Sequence, residues 1–118
     1  ESIRVHGLSL LQAPGNDLVA STALAASGAQ LVLFTTGRGT PFGCPVPTMK
    51  LATNTMLARK KPHWIDFDAG VLLNGISMAS LTDSLLGRIF AVASGVETVH
   101  SEALSRENLA IWKDGVTL

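Results

Sequence analysis

Gln30-Leu31-Val32-Leu33-Phe34-Thr35 runs straight into Thr36-Gly37-Arg38-Gly39-Thr40-Pro41. Leu31 to Phe34 is an unbroken apolar stretch of strand length. Such a stretch predicts burial on both faces, as in the central strand of a parallel sheet. The glycine-flanked arginine that follows turns the chain at the strand's carboxyl end. In open α/β sheets, ligands gather beyond that end.

Upstream, Leu8-Ser9-Leu10-Leu11-Gln12-Ala13 reads as a buried strand that Pro14-Gly15 stops. Asn16 or Asp17 can cap a helix through Leu18, Val19, Ala23, Leu24 and Ala26, because both accept hydrogen bonds from the free N–H groups of a first turn. Gly28 suits the left-handed position after that helix. Downstream, Met49-Lys50-Leu51-Ala52 reads as a short strand. Thr53 or Asn54 caps a short helix that ends before Pro62, and Trp64-Ile65-Asp66-Phe67-Asp68 reads as a fourth strand. The longest helix is predicted from Leu81 to Ser94. Ser80 and Asp83 resemble a capping box. Leu81, Leu85, Ile89 and Val92 share a face widened by Leu86 and Phe90, and Gly95 closes the helix. The tail, Ser105 to Leu118, is predicted to pack as an edge strand. The order is strand, helix, strand, loop, strand, helix, strand, helix, tail. This is an α/β pattern: a small, open, mostly parallel sheet flanked by helices in Rossmann-like layers, with right-handed crossovers.

A chain of 118 residues fits one domain. An apolar fraction of 47% supplies a core and excludes a disordered segment. Nine basic and nine acidic side chains cancel, with no basic stripe for nucleic acid. Arg59-Lys60-Lys61 reads as a solvated helix end. The single cysteine, Cys44, excludes an internal disulfide framework and points to a reduced, cytoplasmic setting. Its thiol reads as a packing group, since a nucleophile needs a base beside it. No apolar stretch reaches the ~20 residues that span a bilayer, so no membrane partner is expected. Glu1-Ser2-Ile3-Arg4 is no secretory signal, and the lack of an initiating methionine hints at an excised piece.

Thr36, Gly37, Arg38, Gly39 and Thr40 carry the clearest chemistry. The glycines let backbone N–H groups approach a ligand. Arginine grips a carboxylate through two parallel hydrogen bonds, and threonine hydroxyls suit polyol oxygens. A hydroxylated carboxylic acid fits this set. The alternative is a surface turn whose arginine pairs with a local acid. Lys50 can pair with a substrate carboxylate or be a solvated strand end. Pro14-Gly15-Asn16-Asp17 reads as a cap rather than an anion site because Asp17 is itself negative, and the spacing of a dinucleotide fingerprint is missing. His63, Asp66 and Asp68 lie within six residues and can bind a divalent metal or act as acid and base. On a strand, Asp66 and Asp68 would point to one face. They match no established ligand spacing, and a turn with a hydrogen-bonding acid is the favoured reading. His6 and His100 stand isolated in sequence, as structural or exposed residues do.

Val32-Leu33-Phe34-Thr35-Thr36-Gly37-Arg38-Gly39-Thr40-Pro41, with Pro45-Val46-Pro47-Thr48-Met49-Lys50-Leu51-Ala52-Thr53-Asn54, resembles the C-terminal region of the altronate and galactarate dehydratases. So do Lys61-Pro62-His63-Trp64-Ile65-Asp66-Phe67-Asp68-Ala69-Gly70 and Ile111-Trp112-Lys113-Asp114-Gly115-Val116-Thr117-Leu118, and Pro14-Gly15-Asn16-Asp17 also fits. The resemblance covers nearly the whole chain. It implies that residues 1–118 are a single C-terminal domain of a larger cytoplasmic hydro-lyase. Such an enzyme removes water from a hexonic or hexaric acid, gives a keto-deoxy acid, and needs a divalent metal, typically iron(II). It also carries N-terminal and central regions lacking here, so the isolated domain is expected to be inactive. The segment from His63 to Phe67 looks more like galactarate dehydratase, whereas Phe42 with Cys44 leans toward altronate dehydratase. A related branch cleaves sulfite from sulfolactate, so part of a sulfo-lyase is one alternative. A non-catalytic sugar-acid-binding or assembly module that completes or dimerises the enzyme is the other. Either way the implied partners are the sugar acid, the absent domains and a possible second copy.

Overall fold

The structure, a computed structural model, describes residues 6–111. Helix α1 spans Asp17–Ala26, strand β1 Val32–Thr36, strand β2 Thr48–Ala52, helix α2 Thr55–Lys60 and strand β3 Phe67–Asp68. A 3₁₀ helix, Ala69–Asn74, leads to α3, Met78–Ala93, and then α4, His100–Ala103. The three strands form one parallel sheet in the order β1-β2-β3. The α/β class and the open parallel sheet are therefore as the sequence implies.

The strand positions differ from expectation. β1 lies at an edge of the sheet, and Leu33 is 45% exposed. The interior strand is β2, where all five residues are buried. The residues expected to form a first strand, Leu8 to Ala13, form none; Leu8 and Leu10 are 93% and 92% exposed. An apolar run becomes a strand only where a neighbour takes its backbone hydrogen bonds. Among the described residues, no neighbour does so for this run or for the outer edge of β1. The fourth strand shrinks to two residues, because Trp64 closes a turn by donating its N–H to the Lys61 carbonyl.

Side chains alternate across β2. Met49 and Leu51 face Val92 and Val99, with Leu31, Phe67, Leu85 and Ile89 around them. Each large apolar side chain buried this way contributes roughly 1.5–3 kcal/mol. Ala52 packs against Leu57 of α2 and Ile65.

The caps explain the helix starts. Asn16, not Asp17, accepts hydrogen bonds from Leu18 and Val19 N–H. Asn54 accepts from Leu57 N–H at 2.8 Å. Ser77, not Ser80, caps α3; Ser80 is the donor to its hydroxyl, so the helix begins earlier than Leu81. Of the predicted tail strand, one parallel bridge, Gly43 to Glu107, is present, and residues 112–118 lie outside the described range.

Gly70 fixes how α2 meets the 3₁₀ helix. A Cβ there would stand 2.2 Å from the Thr55 nitrogen and 2.5 Å from the Asn54 backbone. Gly87, inside α3, has open space around it. Gly70→Ala is expected to cost about 2–4 kcal/mol through the forced backbone shift. Gly87→Ala should stabilise by roughly 0.5–1 kcal/mol, since alanine favours a helix interior. Denaturant midpoints of the two variants test the pair, and equal effects would contradict this packing.

Candidate functional site

The loop after β1 is held from below by the turn that follows β2. The register that sets Thr36 beside Ala52 brings Thr53 N–H to the Thr36 carbonyl at 3.0 Å. One residue later, the Asn54 amide donates to the Gly37 carbonyl at 3.1 Å, while its oxygen caps α2. Thr36 Oγ1 accepts from Gly39 N–H at 2.9 Å and tightens the turn. Gly39 has φ +78°, and a Cβ there would sit 3.0 Å from Leu57 and 3.2 Å from Lys61. Conformation and space both call for glycine.

Arg38 is exposed, and its carbonyl accepts from Lys61 Nζ at 3.0 Å. Among the described residues no acid forms a salt bridge with it. Gly37 and Arg38 line a cleft of about 220 Å³ with Asn54, Met56, Leu57, Lys60 and Lys61. Its lining contains three cations and no acid. A second depression, lined by Thr55, Met56, Arg59, Lys60 and Asn74, shares Met56 and Lys60 with it. Lys60 and Lys61, expected to be a solvated helix end, thus join Arg38 in one cationic concavity. The six-residue α2 runs back beneath the loop and delivers them. Thr36 shapes the loop from within, and neither it nor Thr40 is part of the cleft lining.

Lys50 is not in this cleft. It sits in the middle of β2, opposite Phe34, at 2% exposure, so it is no solvated strand end. Its ammonium lies 5.5 Å from the Phe42 ring centre. Burial pulls its pKa down from 10.5 to about 8, against the attraction of Asp66 and with a further push from Arg106.

His63, Asp66 and Asp68 do not converge. His63 is exposed in the turn after α2. Asp68 accepts from Gly70 N–H and caps the 3₁₀ helix. The Asp66 side chain has no exposed surface, and its oxygens take Lys50 N–H, His100 N–H and the His100 ring nitrogen Nδ1, each at 2.8 Å. Because only Phe67 and Asp68 are in the strand, the shared face expected of Asp66 and Asp68 does not form. Among the described residues no three His, Cys, Asp or Glu side chains are arranged to hold a metal ion. These residues therefore do not fit a resident metal. Cys44 is buried and accepts from the Thr48 hydroxyl at 3.2 Å, which is the packing role expected. No helix among the described residues is long and apolar enough to cross a membrane.

The family model for the D-galactarate/altronate dehydratase C-terminal region matches residues 1–117. The chain belongs to this dehydratase family. It is 53% identical to altronate dehydratase of Escherichia coli (strain K12) over 118 residues and 54% identical to that of Bacillus subtilis (strain 168) over 119. Each match covers all of this chain and 24% of the relative. Identity to the L-threo-forming galactarate dehydratase of Escherichia coli (strain K12) is 36% over 110 residues, 91% of this chain and 21% of that protein. The chain thus spans about a quarter of the length of these relatives.

Burial thus lowers the Lys50 pKa from the ordinary 10.5 to about 8 on folding. Between those values the unfolded state holds a proton that the folded state has shed, so stability rises with pH across the window. Lys50→Met keeps the stem and removes the buried charge. Because the charged form is the one that burial penalises, the substitution is expected to raise stability near neutral pH by about 1–3 kcal/mol and to flatten the rise above pH 8. Denaturant midpoints over that range are the measurement, and an unaltered pH slope would refute the assignment.

Proposed function

We propose that this domain is part of a cytoplasmic hydro-lyase that converts a sugar acid to a keto-deoxy sugar acid, and that the Arg38 cleft holds the substrate's carboxylate. The observation that carries the reading is the cleft: Arg38, Lys60 and Lys61 meet in one concavity with no acid in its lining. Cations concentrated this way attract anions and hold them against water. The higher identity to the altronate dehydratases favours altronate as substrate. It outweighs the galactarate-like form of the segment from His63 to Phe67.

The reaction begins when a base removes the proton beside the carboxylate. Charge then builds on the carboxylate oxygens, and a hydrogen-bonding cation fixed in advance stabilises it. The Arg38 guanidinium can take two such oxygens at once. The turn bonds at Thr36 and Asn54 hold the arginine's backbone, so little reorganisation is needed as charge develops. Among the described residues no cluster of ligands is gathered for the iron(II) that the family resemblance implies.

In the full-length enzyme, Arg38→Ala should lower kcat/KM for altronate by about 10- to 100-fold, the value of a lost charge-assisted hydrogen bond of roughly 1.5–3 kcal/mol. Arg38→Lys should recover part of the loss, keeping charge without the fork. A folded Arg38→Ala enzyme with full activity would make the loop a structural turn. The 118-residue chain alone, supplied with altronate or galactarate and iron(II), should form no keto-deoxy acid.

A further inference from the structure

α3 carries two apolar faces, and the domain covers one of them. Leu85, Ile89 and Val92 pack toward β2. Ala79, Leu86, Phe90 and Ala93 follow one another at spacings of seven, four and three residues, which put them on one side of a helix. All four are exposed, Phe90 at 68%. The helix has two charged side chains, Asp83 and Arg88, and Arg88 is engaged by Glu97 at 2.8 Å. A helix face turned to water is normally charged or polar, whereas a helix apolar around most of its circumference is a buried one. Yet Val92 alone of the 16 residues of α3 is buried.

The apolar surface continues beyond the helix. Leu73, at 84% exposure, Ile76 and Met78 lie exposed on the segment that leads into α3 and on its first residue. Asn74, next to Leu73, lines a depression together with Met56, and Met56 also lines the Arg38 cleft. A continuous run of exposed apolar side chains, unlike scattered ones, marks a surface that another body covers. A body seated here would stand at the edge of the cleft.

Two observations identify that body. The matched family region is the C-terminal one and accounts for 24% of each altronate dehydratase relative, so about three-quarters of those chains precede it. Domains of one chain are held in fixed relation only by a large apolar interface, and the outer face of α3 offers one. The approach to α1, through which such a preceding part is joined, is itself exposed and apolar at Leu8 and Leu10.

We propose that the outer face of α3, continued through Ile76 and Leu73, seats the polypeptide that precedes this domain in the intact dehydratase. The contact brings that polypeptide to the Met56 edge of the Arg38 cleft. Its value for catalysis rests on the carboxylate reading given above; the contact itself does not.

The test uses the full-length enzyme with benzoylphenylalanine in place of Phe90 or of Leu73. Both positions are exposed in the domain, so the larger side chain leaves its packing intact. After irradiation, mass spectrometry of the joined peptides should find, at each position, a partner from before residue 1. A partner within residues 1–118, of the same chain or of a second copy, would overturn the proposal, as would recovery of the probe unjoined. A partner at Phe90 with none at Leu73 would overturn the extension toward the cleft. Phe90→Asp should reduce the Leu73 crosslink several-fold and Phe90→Leu should preserve it; an undiminished crosslink with Phe90→Asp would count against the face as the seat. The crosslinks need no turnover. An enzyme that forms them but dehydrates no sugar acid would retire the dehydratase reading and leave the contact standing.

Discussion

A single buried carboxylate holds β2, the approach to β3 and α4 at a common point. Asp66 takes the Lys50 N–H from one strand and two donors of His100 from the helix. A charge without water is tolerated only when its hydrogen-bonding capacity is met. That condition specifies where the chain must return after Trp64 and where α4 must start. β2, so enclosed, turns Met49 and Leu51 toward α3 and leaves the Lys50 ammonium beside Phe42 and out of water. The depressed proton affinity of Lys50 follows from this enclosure.

The cationic cleft follows from the parallel pairing. With Thr36 beside Ala52, the chain leaving β2 passes under the chain leaving β1. Thr53 and Asn54 then bind the carbonyls of Thr36 and Gly37. Asn54 also starts α2, and six residues of helix return Lys60 and Lys61 to the arginine loop. Lys61 is steadied by the Arg38 carbonyl and the Trp64 ring, so part of its charge serves the loop's own structure.

Features decided by neighbours in sequence were legible there. Asn16, Asn54, Gly28 and Gly95 could be read as helix punctuation, and Thr36 to Gly39 as a tight polar turn at a strand end. Features decided by distant partners were not. The run from Leu31 to Phe34 looks interior because composition registers apolarity and not which edges are paired. Ser80 and Asp83 mimic a start signal that Ser77 already supplies one turn earlier. Lys50 reads as polar and exposed, although β2 buries it. His100 appears isolated because its partner is 34 residues away, and Lys60 joins Arg38 only through the fold.

The central claim is that the Arg38 cleft receives the carboxylate of a sugar acid. A crystal structure of the full-length enzyme with altronate bound and turnover blocked tests it most directly. The account predicts the altronate carboxylate within hydrogen-bonding distance of the Arg38 guanidinium, with its polyol chain leading out of the cleft. A carboxylate bound elsewhere in the enzyme, with Arg38 turned to solvent, would contradict it.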